Sequence, residues 1–349
     1  MKFFRSLPIF VIFIIGLIAC ATPPGADELS LADKLGALNL SEEQVDTLLS
    51  LEQIDEFPLY SMHFYAPYET LSMEGGRQYT EISAFDNAWG CSLFAAFADP
   101  ENMLFGRNFD WEFSPALLLF TDPQDGYASA SMVDIKYLGF WHEDAYDIVD
   151  LPLAGRLALL DAPLIPFDGI NEAGLAVGMA AVPDGKMTLD PDKETVNSLL
   201  VIREILDHAG DVDEAISILD RFNIDYGTGP ALHYLIADAN GDALLVEFYQ
   251  GEMRLIHNQT DWHQATNFLI SSSGDSPQGH CWRYDAIYSQ LSENDGRIST
   301  TQAMGLLEDV AQGATQWSVV YDMDSGDIHI AMGAAYDEVH QLHLDLLSK

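Results

Sequence analysis

The chain has 349 residues, 48% of them hydrophobic, enough apolar surface to fill one large domain or two modest ones and to exclude wholesale disorder. Its 15 Lys and Arg against 55 Asp and Glu give a formal charge of −40. A field of that sign repels phosphate backbones and anionic lipid, so no nucleic acid is expected as a partner and solubility is the plainest reason for the acidity.

In chain order, Lys2 and Arg5 precede an apolar run over residues 7–18 that closes on Leu17-Ile18-Ala19-Cys20, the pattern of an export signal and too short for a comfortable membrane span. The closing tetrapeptide resembles a bacterial lipoprotein cleavage box. That resemblance implies lipid on Cys20 and membrane contact only through this anchor, in the periplasm or at the cell surface; a secretory signal with an incidental cysteine is the alternative. Residues 21–28 read as a Pro/Gly/acidic tether. Ser41 with Gln44 three residues on forms a capping box, with Leu40 and Val45 at the staple positions, and predicts a helix over 42–53.

From Cys91 the pattern turns to strands. Residues 92–98 and 103–105 flank a turn at 99–102 and predict a hairpin. Further strands are predicted at 117–121, 132–137, 175–182, 232–237, 243–248, 253–257, 265–270, 317–322 and 328–332. Helical periodicity marks 195–209, 212–222, 282–291 and 300–311. Strand runs separated by helix pairs suggest sheets layered with helices in one α+β domain. The acidic stretches 238–242 and 322–327 look faintly like calcium loops, but neither ends in the required glutamate; each is read as a hairpin turn.

Three cysteines, at 20, 91 and 281, sit uneasily in an exported protein, where thiols normally pair. With Cys20 lipidated only a Cys91–Cys281 bridge remains open; the other reading keeps a free thiol for chemistry. The informative stretch is Ala88-Trp89-Gly90-Cys91-Ser92, followed by Leu104-Phe105-Gly106-Arg107-Asn108-Phe109-Asp110-Trp111. A hairpin returns its second strand beside its first, so Arg107 and Asp110 can lie close to Cys91. A guanidinium near sulfur favours the nucleophilic thiolate.

At these residues the sequence resembles the choloylglycine hydrolase family of linear amide C–N hydrolases, among the N-terminal-nucleophile enzymes that include penicillin V acylase and bile salt hydrolase relatives. The spacing of Cys91 to Gly106-Arg107-Asn108-Phe109-Asp110 carries the resemblance. So do Asn171-Glu172-Ala173-Gly174-Leu175, Thr266-Asn267 and the late Arg283, all in the family's order. The resemblance implies a four-layer αββα sandwich of two antiparallel sheets between helical layers. It also implies hydrolysis of N-acyl amides with no cofactor, through a thioester on Cys91 whose own α-amine acts as base. Asp110 would then hold that amine, Arg107 would lie beside the thiol, Asn267, and Asn171 through its side chain or backbone, would donate to the oxyanion, and Arg283 would complete the site.

About seventy residues separate the signal from Cys91, an arrangement resembling acid ceramidase and penicillin-forming acyltransferases, which cut themselves before the cysteine. The implied organisation is a signal over 1–20, a tether and helical propeptide or small subunit over 21–90, and a catalytic domain over 91–349, with cleavage between Gly90 and Cys91. Aromatic residues Trp111, Phe113, Tyr137 and Trp141 hint at an apolar acyl pocket. Competing readings are acyl transfer on the same scaffold, a papain-like Cys91 served by His280 or His329, a Gly274-Asp275-Ser276 esterase, and a non-catalytic surface lipoprotein that binds a ligand.

Overall fold

A computed structural model describes residues 38–68, 90–141, 145–183, 185–274 and 276–347. Ser41–Lys349 form one compact unit, described below; of Met1–Leu40 only residues 38–40 are described. The expected signal, Cys20 and the tether therefore lie outside the described residues. No helix among the described residues is long and apolar enough to cross a membrane.

The structure begins with α1 (Glu42–Leu49), capped as its sequence requires: the Ser41 hydroxyl accepts from the Gln44 amide at 3.2 Å and the Gln44 side chain accepts from the Ser41 amide at 3.0 Å. The helix stops four residues short of the expected 53. Residues 52–55 instead pair as strand β1 (Glu52–Asp55) with β2 (Leu59–Phe64). The segment before Cys91 is thus more than a helical propeptide, because it contributes two strands to a sheet of the domain.

Nine strands form that sheet, in the order β1, β2, β5 (Ala116–Thr121), β6 (Ser129–Asp134), β7 (Pro166–Asn171), β8 (Ala176–Val182), β11 (Ala231–Ala237), β12 (Ala243–Tyr249) and β13 (Glu252–His257). All pairs are antiparallel except β2 with β5, which run parallel. A second sheet has six antiparallel strands, ordered β14 (Trp262–Ala265), β3 (Gly90–Ala96), β4 (Leu104–Asp110), β15 (Thr315–Asp322), β16 (Asp327–Met332) and β17 (Val339–His343). A short parallel pair, β9 (Glu194–Asn197) with β10 (Phe222–Asp225), stands apart. The acidic stretches 238–242 and 322–327 are hairpin turns between β11 and β12 and between β15 and β16, as expected.

Strand alternation decides which side chains meet. Cys91, Leu93 and Ala95 lie opposite Phe109, Arg107 and Phe105, so these six share the face of the six-stranded sheet that packs into the main core with Met132, Ile170 and Val177. The intervening Phe94, Ala96 and Leu104 point the other way, into a separate cluster with Ile287 and Leu291 of α4 (Trp282–Glu293) and Ala303, Leu306 and Leu307 of α5 (Thr300–Asp309). On the far side of the nine-stranded sheet, α2 (Leu200–His208) and α3 (Val212–Leu219) bury Val201, Ile202, Ile205, Ala215 and Leu219. The result is four layers: helices, sheet, sheet, helices.

The expected helix over 195–209 begins late, at Leu200, because residues 194–197 form β9. Strands β2, β7, β9, β10 and β17 lie where no strand is expected from the sequence. Two of them, β7 and β2, are nearly continuous in burial and carry no period-2 alternation to reveal them.

Candidate active site

Cys91 is the second residue of β3 and is buried. The ladder puts Phe109 directly opposite it, Arg107 two pairs inward and Asp110 opposite Gly90. Because β14 pairs with β3 up to Ala265 and Leu93, the two residues that follow carry Asn267 to the level of Cys91. Three of the expected residues are thereby brought around Cys91 from neighbouring chain segments, and Arg283 reaches the Cys91 carbonyl from the first turn of α4.

The geometry around the sulfur is polar and crowded. One terminal nitrogen of Arg107 lies 3.8 Å from Cys91 Sγ, and the other pairs with Asp168 of β7 across the sheet interface, both side chains being fully buried. Asp168 also accepts from the Tyr321 hydroxyl and, at 3.4 Å, from the Trp317 indole. Burial pushes the Cys91 thiol up from its ordinary range; Arg107 opposes this shift and Asp110 adds to it. The sulfur is therefore mainly a thiol at neutral pH.

Asn267 and Arg283 clamp the backbone at Cys91. The Cys91 amide donates to Asn267 Oδ1 at 2.7 Å, and Asn267 Nδ2 donates to the Ala181 carbonyl at 2.8 Å. Arg283 donates to the Cys91 carbonyl, to Ser92 Oγ at 2.9 Å and to Asn267 Oδ1 at 2.7 Å. Among the described residues Asn267 Nδ2 makes the one hydrogen bond to Ala181, so its second hydrogen is uncommitted. Asp110 accepts from Thr315 Oγ1 and from Gln312 Nε2, each at 2.6 Å. Burial raises its pKa, while these two bonds and the charges of Arg283 and Arg107 lower it.

Asn171 is not part of this group, contrary to the role the sequence resemblance implies. Its Nδ2 donates to the carbonyls of Leu206 and Ala209, at 3.0 and 2.7 Å, and its Oδ1 accepts from the amides of Ala173 and Leu175, both at 3.1 Å. Both side-chain amide hydrogens are spent, and its backbone amide donates to the Leu175 carbonyl at 2.9 Å, so neither the side chain nor the backbone has a donor left for an oxyanion. It ties the tight turn before Leu175, where Gly174 adopts φ +80, to the end of α2. The sequence reading also missed Asp168, Gln312 and Thr315. A buried Arg107 demands a buried carboxylate, and that requirement was the available signal for Asp168; nothing local announces the other two.

A cavity of about 790 Å³, counting space open to solvent, reaches Cys91. Phe109, Phe167, Met179 and Leu232 line it from the two sheets, with Trp111, Tyr137 and Tyr226 at the connecting segments. Among the described residues no charged side chain and no histidine line it. Trp111 and Tyr137 are thus pocket residues as expected, whereas Phe113 stacks on Tyr146, and Trp141 is exposed. His280 stacks on Phe268, and Cys91 and Cys281 are both free thiols.

The family described as acyl-coenzyme A:6-aminopenicillanic acid acyl-transferase matches residues 155–345. The chain belongs to this acyltransferase family. The match begins beyond Cys91, Arg107 and Asp110 and takes in Asn171, Asn267 and Arg283, so geometry alone places the first three in the site. Among solved structures, a mutant of the conjugated bile acid hydrolase from Clostridium perfringens is similar at 15% identity and TM-score 0.53, over 73% of this chain and 92% of that one. A second variant of the same hydrolase gives 14% identity and 0.51, over 72% and 92%. Penicillin V acylase from Agrobacterium tumefaciens gives 15% identity and 0.48, over 73% and 87%. The acyltransferase-family chain shares with the bile acid hydrolase the four-layer fold of N-terminal-nucleophile hydrolases.

Proposed function

We propose that the protein hydrolyses linear amide C–N bonds of small N-acyl compounds through a thioester on Cys91, after the chain has cut itself between Gly90 and Cys91. The observation that carries this reading is the juxtaposition of Cys91 Sγ, a buried guanidinium 3.8 Å away and an uncharged apolar cavity that ends at the sulfur. Family membership and fold support it. In self-cleavage Sγ bonds to the Gly90 carbonyl carbon, the Gly90–Cys91 C–N bond breaks, and the thiol proton passes to the departing nitrogen. Water then splits the thioester, leaving a carboxylate on Gly90 and a free thiol and α-amine on Cys91.

The new amine supplies the base that the pocket lacks. It takes the thiol proton as sulfur attacks the substrate carbonyl, returns it to the leaving amine, and then helps water to release the acid. Arg107 stabilises the thiolate, and the remaining Asn267 hydrogen faces the oxyanion. The apolar lining suits a neutral acyl group. Because the matching family is named for an acyltransferase, transfer of the acyl group to a second amine is the other reading of the same thioester. Export on the signal read at residues 1–20, with lipid on Cys20, belongs to the same proposal.

Purified protein is expected to run as two fragments on a denaturing gel, the larger beginning at Cys91, and to release amine from N-acyl amides. Cys91→Ala should remain one folded, inactive chain, and Cys281→Ala should keep most activity. An active enzyme intact across Gly90–Cys91 would show the mechanism to be wrong. An added acceptor amine that diverts acyl product from acid to new amide would favour transfer.

A further inference from the structure

Gly90 begins β3 opposite Asp110, and the amide of Gln312 lies over its α-carbon: a Cβ built on Gly90 would stand 2.1 Å from Gln312 Nε2 and 3.0 Å from Asp110 Oδ2. The same Nε2 donates to Asp110 Oδ2 at 2.6 Å. Gln312 is itself fixed by its neighbour in the loop after α5. Its backbone amide donates to Thr315 Oγ1 at 2.9 Å, the Thr315 amide donates back to the Gln312 carbonyl at 3.1 Å, and Thr315 Oγ1 donates to the second Asp110 oxygen at 2.6 Å. The pairing of β15 with β4 shifts register between Thr315 and Trp317, where this loop joins β15.

We propose that Gln312 is a positioning residue for self-cleavage: its amide binds Asp110, packs on the Gly90 α-carbon and holds the Gly90–Cys91 peptide against the thiol. The proposal rests on the cleavage reading given above. It accounts for two features of the site. Residue 90 has no side chain because Gln312 takes the space that a Cβ would need. Asp110, at the end of β4 beside the place where the new α-amine will appear, has both oxygens held by donors from one loop, so its carboxylate keeps a fixed direction before and after the bond is cut. Processing then empties the room beside Gln312 without disturbing the Asp110 contact that the mature amine will use.

The groups facing Asp110 are Arg107 on its own strand, Arg283 on α4, the Cys91 thiol on β3 and the Tyr336 phenol, together with Gln312 and Thr315. Removing the Gln312 donor takes away one influence that lowers the Asp110 pKa and leaves the other groups in place. The carboxylate then stays protonated to higher pH, and the acid side of the cleavage profile moves up.

The test follows the full chain made in a cell-free system, with the uncut fraction read on denaturing gels over time at several pH values. Gln312→Met, close to the native size but without the donor, and Gln312→Ala should each slow cleavage at neutral pH by about tenfold, the worth of one charge-assisted hydrogen bond. Both should shift the acid limb upward. Gly90→Ala should slow cleavage in the wild-type background by pushing Gln312 aside, yet cost little more once Gln312→Ala is present. Wild-type chain that stays uncut overturns the cleavage reading and this proposal together. Wild type cut at Cys91, with Gln312→Met cut at the same rate and with the same pH profile, overturns this proposal alone, as does a fully additive double variant.

Discussion

The Arg107–Asp168 pair is the most consequential contact in the site that lies outside the residues marked by sequence motifs. Two fully buried opposite charges are costly to desolvate, and their worth lies in direction: one guanidinium nitrogen is committed to Asp168 so that the other faces Cys91 Sγ. Tyr321 and Trp317 fix the carboxylate in turn. Asp168→Asn keeps the size and removes the charge, leaving Arg107 buried without its counter-ion. We expect a stability loss of about 3–5 kcal/mol, the usual cost of removing one partner of a buried pair, measurable by denaturant unfolding. Alkylation of Cys91 by iodoacetamide should also need a higher pH than in wild type. Unchanged stability together with an unchanged alkylation profile would remove Asp168 from this role.

Strands β1 and β2 tie the segment ahead of Cys91 to the rest of the fold. Leu59, Tyr60 and Met62 are fully buried in the middle of a nine-stranded sheet's first pairings, and each large apolar side chain so buried contributes about 1.5–3 kcal/mol. Polar ties add to this: the Tyr60 hydroxyl donates to the Ala145 carbonyl at 2.7 Å, the Tyr68 hydroxyl to Asp207 at 3.0 Å, and His340 of β17 meets Asp55 of β1 at 2.6 Å. Cutting one peptide bond at Gly90 removes none of these contacts. The fragment ending at Gly90 should therefore co-elute with the larger one on native size-exclusion chromatography and separate only in denaturant. Elution of the large fragment alone, still folded and active, would contradict this.

At the scale of the whole molecule the fold works against a charge of −40. Compaction brings carboxylates together, and salt shortens the reach of their repulsion from about 30 Å at 0.01 M to about 3 Å at 1 M ionic strength. The melting temperature should rise with NaCl over that range, as scanning calorimetry can record; a flat or falling trend would mean that self-repulsion is not a significant cost. Among the described residues the lining of the cavity at Cys91 carries no ionised side chain. Substrate affinity should accordingly depend far less on salt than stability does.

By itself the sequence determined the layered α+β class, the hairpin that puts Arg107 and Asp110 beside Cys91, and the places of Asn267 and Arg283. Those follow from alternation along adjacent strands and from motifs whose members are few residues apart or stand in the family's order. It misassigned Asn171, because a motif position says which residue is present and not where its hydrogen bonds go: this side chain is consumed by a turn and the end of α2. The tertiary structure alone decided that β1 and β2 enter the main sheet, since Leu59–Phe64 is buried at almost every position and shows no alternation to read. It alone brought Asp168 to Arg107 and Gln312 to Gly90, across 61 residues in the first pair and between separate elements in the second. Such contacts depend on which sheets stack and which loop follows which helix, and no local property of the chain encodes that.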